Sequence, residues 1–111
     1  MIQVRVEKQE ENITAFHIEG HAEYSQYGLD IICSAVSALA INCVNSIEEL
    51  TDDVYSLQCE EERGMLDFCV KGTSSEEAQL LLQSMVIGLN GISESYGKQY
   101  VTVEIVRRKK T

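Results

Sequence analysis

The two residues best equipped for chemistry, His21 and Cys33, stand at the ends of one run, His21-Ala22-Glu23-Tyr24-Ser25-Gln26-Tyr27-Gly28-Leu29-Asp30-Ile31-Ile32-Cys33. A thiol becomes a nucleophile when something favours its thiolate and a base takes its proton. This run supplies a candidate for each. Asp30 reads as a helix N-cap, since a short carboxylate accepts hydrogen bonds from first-turn amides. Cys33, three residues further on, then lies near unpaired N–H groups and the positive end of the helix dipole. That help is small: a helix end contributes roughly 0.3 to 1 kcal/mol against about 1.4 for one pKa unit. Starting from about 8.5, a thiol shifted by less than a unit stays mostly protonated at neutral pH, and the Asp30 carboxylate opposes the shift. A neighbouring base is required, and His21 is the local one, because imidazole titrates near pH 6.5.

Gly20 and Gly28 bracket the segment between the pair, and glycine tolerates backbone angles that other residues avoid. They read either as hinges that bring His21 to the helix start when substrate binds, or as residues that end a strand and shape a turn. Tyr24 and Tyr27 read as stacking platforms for aromatic substrate side chains, or as anchors that tie the segment to its own domain.

The pattern Gly20-His21-Ala22, a short glycine-containing loop, then Asp30-Ile31-Ile32-Cys33-x-Ala35-Val36-Ser37 resembles the bacterial ribosomal-processing cysteine protease family, Prp. The length and element order of the whole chain are similar as well. The resemblance implies a cytoplasmic protease that removes the N-terminal extension from the precursor of large-subunit ribosomal protein twenty-seven. It implies Cys33 as nucleophile and His21 as general base and acid, with Asp30 and Ser37 as candidates for orienting or supporting the pair. Ser34 departs from the alanine expected in many members, a small change of volume beside the nucleophile.

These residues need a scaffold, and the apolar spacing outlines one. Residues 2 to 8 and 13 to 19 alternate as strands around the polar turn Gln9-Glu10-Glu11-Asn12, with Ile2, Val4 and Val6 on one side and Phe16 and Ile18 on a core face. His17 falls on the opposite face, as a surface histidine. From Asp30 to about Leu50, the positions Ile32, Val36, Leu39, Ala40, Cys43, Ile47 and Leu50 recur at helical spacing, and Thr51-Asp52-Asp53 ends the helix. Residues 54 to 61 and 65 to 71 form a second hairpin, turning at Glu62-Arg63-Gly64. Ser74 with Glu77 has capping-box spacing ahead of a second helix, striped by Ala78, Leu81, Leu82, Met85, Leu89 and Ile92. Gly91 or Gly97 closes that helix, and Tyr100 to Val106 is a last strand. The order β-β-α-β-β-α-β predicts an α+β two-layer sandwich: an antiparallel or mixed five-stranded sheet with two helices on one face.

At 111 residues the chain is expected to be one domain, residues 1–111. Its start alternates like a strand and lacks the apolar stretch of a targeting peptide, and no segment is expected to approach a membrane span. A cytoplasmic protein keeps its thiols reduced, so Cys33, Cys43, Cys59 and Cys69 are read as unpaired. Cys43 falls on the buried helical stripe, while Cys59 and Cys69 lie on opposite arms of the second hairpin, where they are read as facing one another. No metal or other cofactor is expected, since no Cys-x-x-Cys spacing or second ligand pair exists.

Against 18 acidic residues stand 9 basic ones, a net charge of -9. Four of the nine form the terminal run Arg107-Arg108-Lys109-Lys110, read as a solvated end, so the rest of the chain sets five cations against 18 acids, a balance of -13. This balance disfavours nucleic acid and suits a basic protein partner, although acidity also simply aids solubility. Two helices cover one face of a sheet, so the other face must be polar or paired, and a homodimer is expected. Two other classes compete: a non-catalytic, ribosome-associated acidic module that binds a basic ribosomal protein, and a metal site of His21, Cys33 and a carboxylate.

Overall fold

A computed structural model describes residues 1–20 and 29–108, with the side chains of Leu29 and Asp30 excepted. The chain runs β1 (Ile2–Gln9), β2 (Asn12–Glu19), α1 (Leu29–Leu50), β3 (Val54–Glu60), β4 (Met65–Lys71), α2 (Glu76–Tyr96) and β5 (Val101–Arg108). The strands form one mixed sheet in the order β3-β4-β2-β1-β5, in which β5 lies parallel to β1 and all other neighbours are antiparallel. This is the expected α+β layering.

Alternation decides which side of each strand is buried. Ile2, Val4 and Val6 of β1, Phe16 and Ile18 of β2, Phe68 of β4 and Val101 of β5 share one face and meet Ile32, Val36, Ala40, Cys43, Val44 and Ile47 of α1 and Ala78, Leu82, Met85 and Leu89 of α2. The rings of Phe16 and Phe68 stack with centroids 5.0 Å apart, and Tyr55 stacks on Phe68 at 5.3 Å. The opposite face carries the cross-strand row Asp67, His17, Arg5 and Glu104. These side chains are polar or charged, so this face needs no apolar cover of the kind the helices give the other. His17 lies on it, with Nε2 2.9 Å from Glu19 Oε1 and Nδ1 3.4 Å from Asp67 Oδ1.

A bulge explains why Ile13, at the wrong parity for its strand, is also buried. Lys8 pairs with Ile13 but Glu7 pairs with Ala15, so Thr14 is the extra residue, and its hydroxyl donates to the Glu7 carbonyl at 3.3 Å. The slip turns Ile13 onto the core face alongside Phe16 and Ile18.

Several expectations need correction. Leu29 is already helical, so Asp30 lies within the first turn of α1 and is not its N-cap. Leu50 is 71% exposed and Val44 is buried in its stead, so the buried stripe of α1 stops at Ile47, before the last residues of the helix. The cap of α2 is Ser75, whose hydroxyl accepts from the Ala78 N–H at 3.1 Å. Ser74 instead donates to Asp53 Oδ2 at 3.2 Å and accepts from Gln79 Nε2 at 3.1 Å. Cys59 pairs with Leu66 and Cys69 with Ser56, so the two thiols lie on opposite faces of the hairpin and do not meet. Arg107 and Arg108 belong to β5 itself, and Arg108 Nε donates to Glu7 Oε1 at 2.6 Å. Finally, Ile31–Leu50 has a mean hydropathy of 1.5 and is long and apolar enough to cross a membrane by length and composition alone, against the expectation that no segment approaches a span. Here Ile32, Val36, Ala40, Cys43, Val44 and Ile47 of this stretch lie in the core of the domain.

Candidate active site

One flank of α1 presents Cys33, Ser37 and Ile41 to a common cleft of about 360 Å³. Their spacing of four residues stacks them on one helix face, about 12 Å from end to end at 1.5 Å per residue. The floor is made by Ile2, Ile18, Val36, Ala40 and Leu66, and the rim by Gly20, Cys59, Glu60, Glu61, Gly64 and Met65. The cleft is therefore an apolar trough with a thiol near one end and two carboxylates on its edge.

Cys33 is half-buried in the second turn of α1 as counted from Leu29. It lies further inside the helix than an Asp30 cap would have put it. Its Cα–Cβ bond still tilts towards the helix N-terminus, over the amides of Leu29 to Ile32, which have no partner within the described part of the helix. Ser37 lies one turn on, exposed at the cleft edge.

Gly20 ends β2 at the same cleft. Its φ is 113°, and a Cβ at this position would collide with the Met1 carbonyl oxygen. No side chain fits there, since real Cβ atoms do not approach backbone so closely. On its other side the Gly20 N–H donates to the Arg63 carbonyl at 3.2 Å. The Arg63 guanidinium in turn donates to Glu19 Oε2 at 2.9 Å and to Glu60 Oε2 at 3.3 Å. Hydrogen bonds from His17 and then Arg63 hold the Glu19 carboxyl below the usual carboxylate range.

The structure thus brings Cys33, Ser37 and Gly20 to one cleft. His21, Tyr24, Tyr27 and Gly28 lie outside the described residues, as does the side chain of Asp30. The proposed metal site depends on His21 and lies outside them too; among the described residues, no group of three or more His, Cys, Asp or Glu is placed to hold a metal ion.

The other thiols differ in kind. Cys43 is buried, its Sγ–H reaches the Leu81 carbonyl at 3.6 Å, and burial pushes its pKa up to about 11. That is the small buried hydrophobe expected of it. Cys69 lies on the open face of the sheet. Cys59 was missed as a cleft residue, as were Ile41, Glu60 and Glu61. Extending the β3 alternation from Tyr55 through Leu57 would have put Cys59 on the helix side.

Comparison with known proteins agrees with this architecture. The family model described as cysteine protease Prp matches residues 1–102. The ribosomal processing cysteine protease Prp of Staphylococcus aureus is 34% identical over 89 residues, covering 80% of this chain and 84% of that protein. The crystal structure of SMU.848 from Streptococcus mutans superposes with a TM-score of 0.86 at 32% identity, over 97% of this chain and 96% of that one. The Staphylococcus aureus protease in complex with a covalently linked product peptide superposes with a TM-score of 0.85 at 31% identity, over 95% of this chain and 99% of that one. A cysteine on an apolar cleft, a fold shared across nearly the whole chain and the family match converge: the chain belongs to the Prp family of ribosomal-processing cysteine proteases.

Proposed function

We propose that this protease removes the N-terminal extension from the precursor of large-subunit ribosomal protein twenty-seven, with Cys33 as nucleophile and His21 as its general base and acid. One observation carries the assignment: Cys33 and Gly20 line the same cleft, and His21 is the residue bonded to Gly20. The trough along Cys33, Ser37 and Ile41 has the length of three to four extended residues at about 3.3 Å each, which suits a peptide. The Staphylococcus aureus relative was crystallised with a covalently linked product peptide, in keeping with a peptide substrate here.

In this mechanism His21 takes the Cys33 proton, and the thiolate attacks the scissile carbonyl carbon. First-turn amides of α1 stabilise the oxyanion that forms. His21 gives its proton to the leaving amine, and the acyl group remains on sulfur as a thioester. His21 then takes a proton from water, whose hydroxide displaces the thiolate and frees the new carboxylate. Asp30 and Ser37 support this pair from α1, and Tyr24 and Tyr27 hold aromatic side chains of the substrate. The enzyme works in the cytoplasm as a homodimer and meets its basic substrate with a net charge of -9, which speeds encounter. Family membership sets aside the non-catalytic binding module.

The test is incubation with a peptide spanning the extension junction, read by mass spectrometry. The wild type cuts once at the junction, while Cys33→Ala and His21→Ala leave the peptide intact with unchanged circular dichroism. Full cleavage by Cys33→Ala ends the proposal. Light scattering at micromolar concentration that finds only monomer ends the dimer.

A further inference from the structure

We infer that Arg63 is a positioning residue for this protease: from the turn between β3 and β4 it grips the end of β2 at two points and so fixes where the chain enters the segment that carries His21. The inference rests on the assignment of His21 made above.

The two points are successive residues. The Arg63 guanidinium holds Glu19 through its side chain at 2.9 Å, and the Arg63 carbonyl accepts from the Gly20 N–H at 3.2 Å. Glu19 is held from a second direction by His17, whose Nε2 lies 2.9 Å from its other oxygen. On the far side of Gly20, the Met1 carbonyl fills the place a Cβ would take. Gly20, which leads to His21, is therefore gripped between the Met1 carbonyl ahead of β1 and the β3–β4 turn. That turn also lines the cleft through Glu61 and Gly64, next to Glu60, which the guanidinium bonds at 3.3 Å. One residue thus ties the cleft rim to the base of the catalytic segment.

The side chains of Arg63 and Glu19 are 52% and 40% exposed, and exposed ion pairs contribute little to folding. A general base displaced by a fraction of an ångström loses rate steeply. Removal of this side chain should consequently separate catalysis from stability, which a purely structural residue would not do.

The experiment compares wild type, Arg63→Ala, Arg63→Lys, His21→Ala and the double variant His21→Ala/Arg63→Ala. It measures kcat and KM on the junction peptide, the urea midpoint, and the rate at which iodoacetamide alkylates Cys33 as a function of pH, located by mass spectrometry. Arg63→Ala should lower kcat by roughly tenfold, leave KM within about twofold and the urea midpoint unchanged, and slow alkylation near neutral pH. Arg63→Lys, which keeps one charged donor, should recover part of both losses, and it decides the matter alone if the alanine variant fails to fold. In the His21→Ala background, Arg63→Ala should change alkylation no further. Wild-type kcat and alkylation in Arg63→Ala, or an equal loss of alkylation in both backgrounds, overturns the inference while leaving His21 in place. An alkylation profile unaltered by His21→Ala itself instead removes the assignment of His21, and the role of Arg63 with it.

Discussion

Replacing Gln79 with leucine should cost this domain a large part of its stability, although Gln79 touches no catalytic group. Gln79 is 7% exposed. Its Oε1 accepts from the Ile13 N–H at 2.8 Å and its Nε2 donates to the Ile13 carbonyl at 2.8 Å. The carboxamide stands in for a strand, because the register of β2 with β4 begins at Ala15 and leaves Ile13 without a partner on that side. Leucine matches the volume and supplies neither bond. A buried orphan donor or acceptor costs about 1–3 kcal/mol, so two of them, offset by some apolar gain, come to about 3 kcal/mol. Small domains have only about 5–15 kcal/mol in all. With a urea slope of about 1.5 kcal/mol/M, the midpoint should fall by about 2 M. Gln83→Leu, at an exposed position of the same helix, should stay within about 0.5 kcal/mol. A glutamate at position 79 adds a pH signature. Burial beside the Ile13 carbonyl disfavours its charged form and raises its folded pKa above the unfolded value. That variant is then most stable below about pH 4 and loses stability as pH rises through the folded pKa. Chemical denaturation of these variants checks the reasoning, and a Gln79→Leu midpoint within error of wild type refutes it.

Gly20→Ala forces a side chain into φ 113° against the Met1 carbonyl; it should lose at least about 2 kcal/mol in urea titration and most of its peptide cleavage at permissive temperature. In the folded protein Cys43, whose thiol burial pushes up to about 11, should resist iodoacetamide at pH 8.5, while the exposed Cys59 and Cys69 react; mass-spectrometric mapping decides. Burial would raise the Asp53 carboxyl, but hydrogen bonds from the Ser75 backbone and hydroxyl, Ser74 and Thr51 outweigh it and hold it below the usual range. Its contribution is present above the unfolded pKa and lost as pH falls through the lower folded one, so Asp53→Ala should flatten the acid side of a stability–pH curve. Ser75→Ala should cost about 1 kcal/mol by thermal denaturation at neutral pH through loss of the α2 cap.

Periodicity made the scaffold legible. Alternation in β1 and the three-to-four spacing in both helices follow from one buried face each, and neither depends on distant partners. The parallel placement of β5 beside β1, the bulge at Thr14 and the role of Gln79 depend on contacts between residues far apart in sequence, and no local pattern carries them. Leu50 illustrates the limit: it continues the helical stripe, but it is the last residue of α1 and lies exposed. At the site, Cys33 and Gly20 were legible from residue type. The rim was not, because Glu60 and Glu61 look like part of an ordinary charged turn until the β3–β4 hairpin brings them to the cleft, and their neighbour Arg63 to the end of β2.

The parallel pairing of Ile2–Gln9 with Val101–Arg108 has a consequence for biosynthesis. The β1–β2 hairpin can assemble from local contacts soon after it leaves the ribosome, whereas the other margin of β1 waits until β5, far along the chain, is translated. Until then a row of unpaired amides and carbonyls, which the finished sheet covers with its edge strand β5, stays open to any extended chain nearby. Nascent molecules stalled before Val101 should accordingly be the aggregation-prone species of this protein, and a chaperone that shields an open strand margin would find its client there.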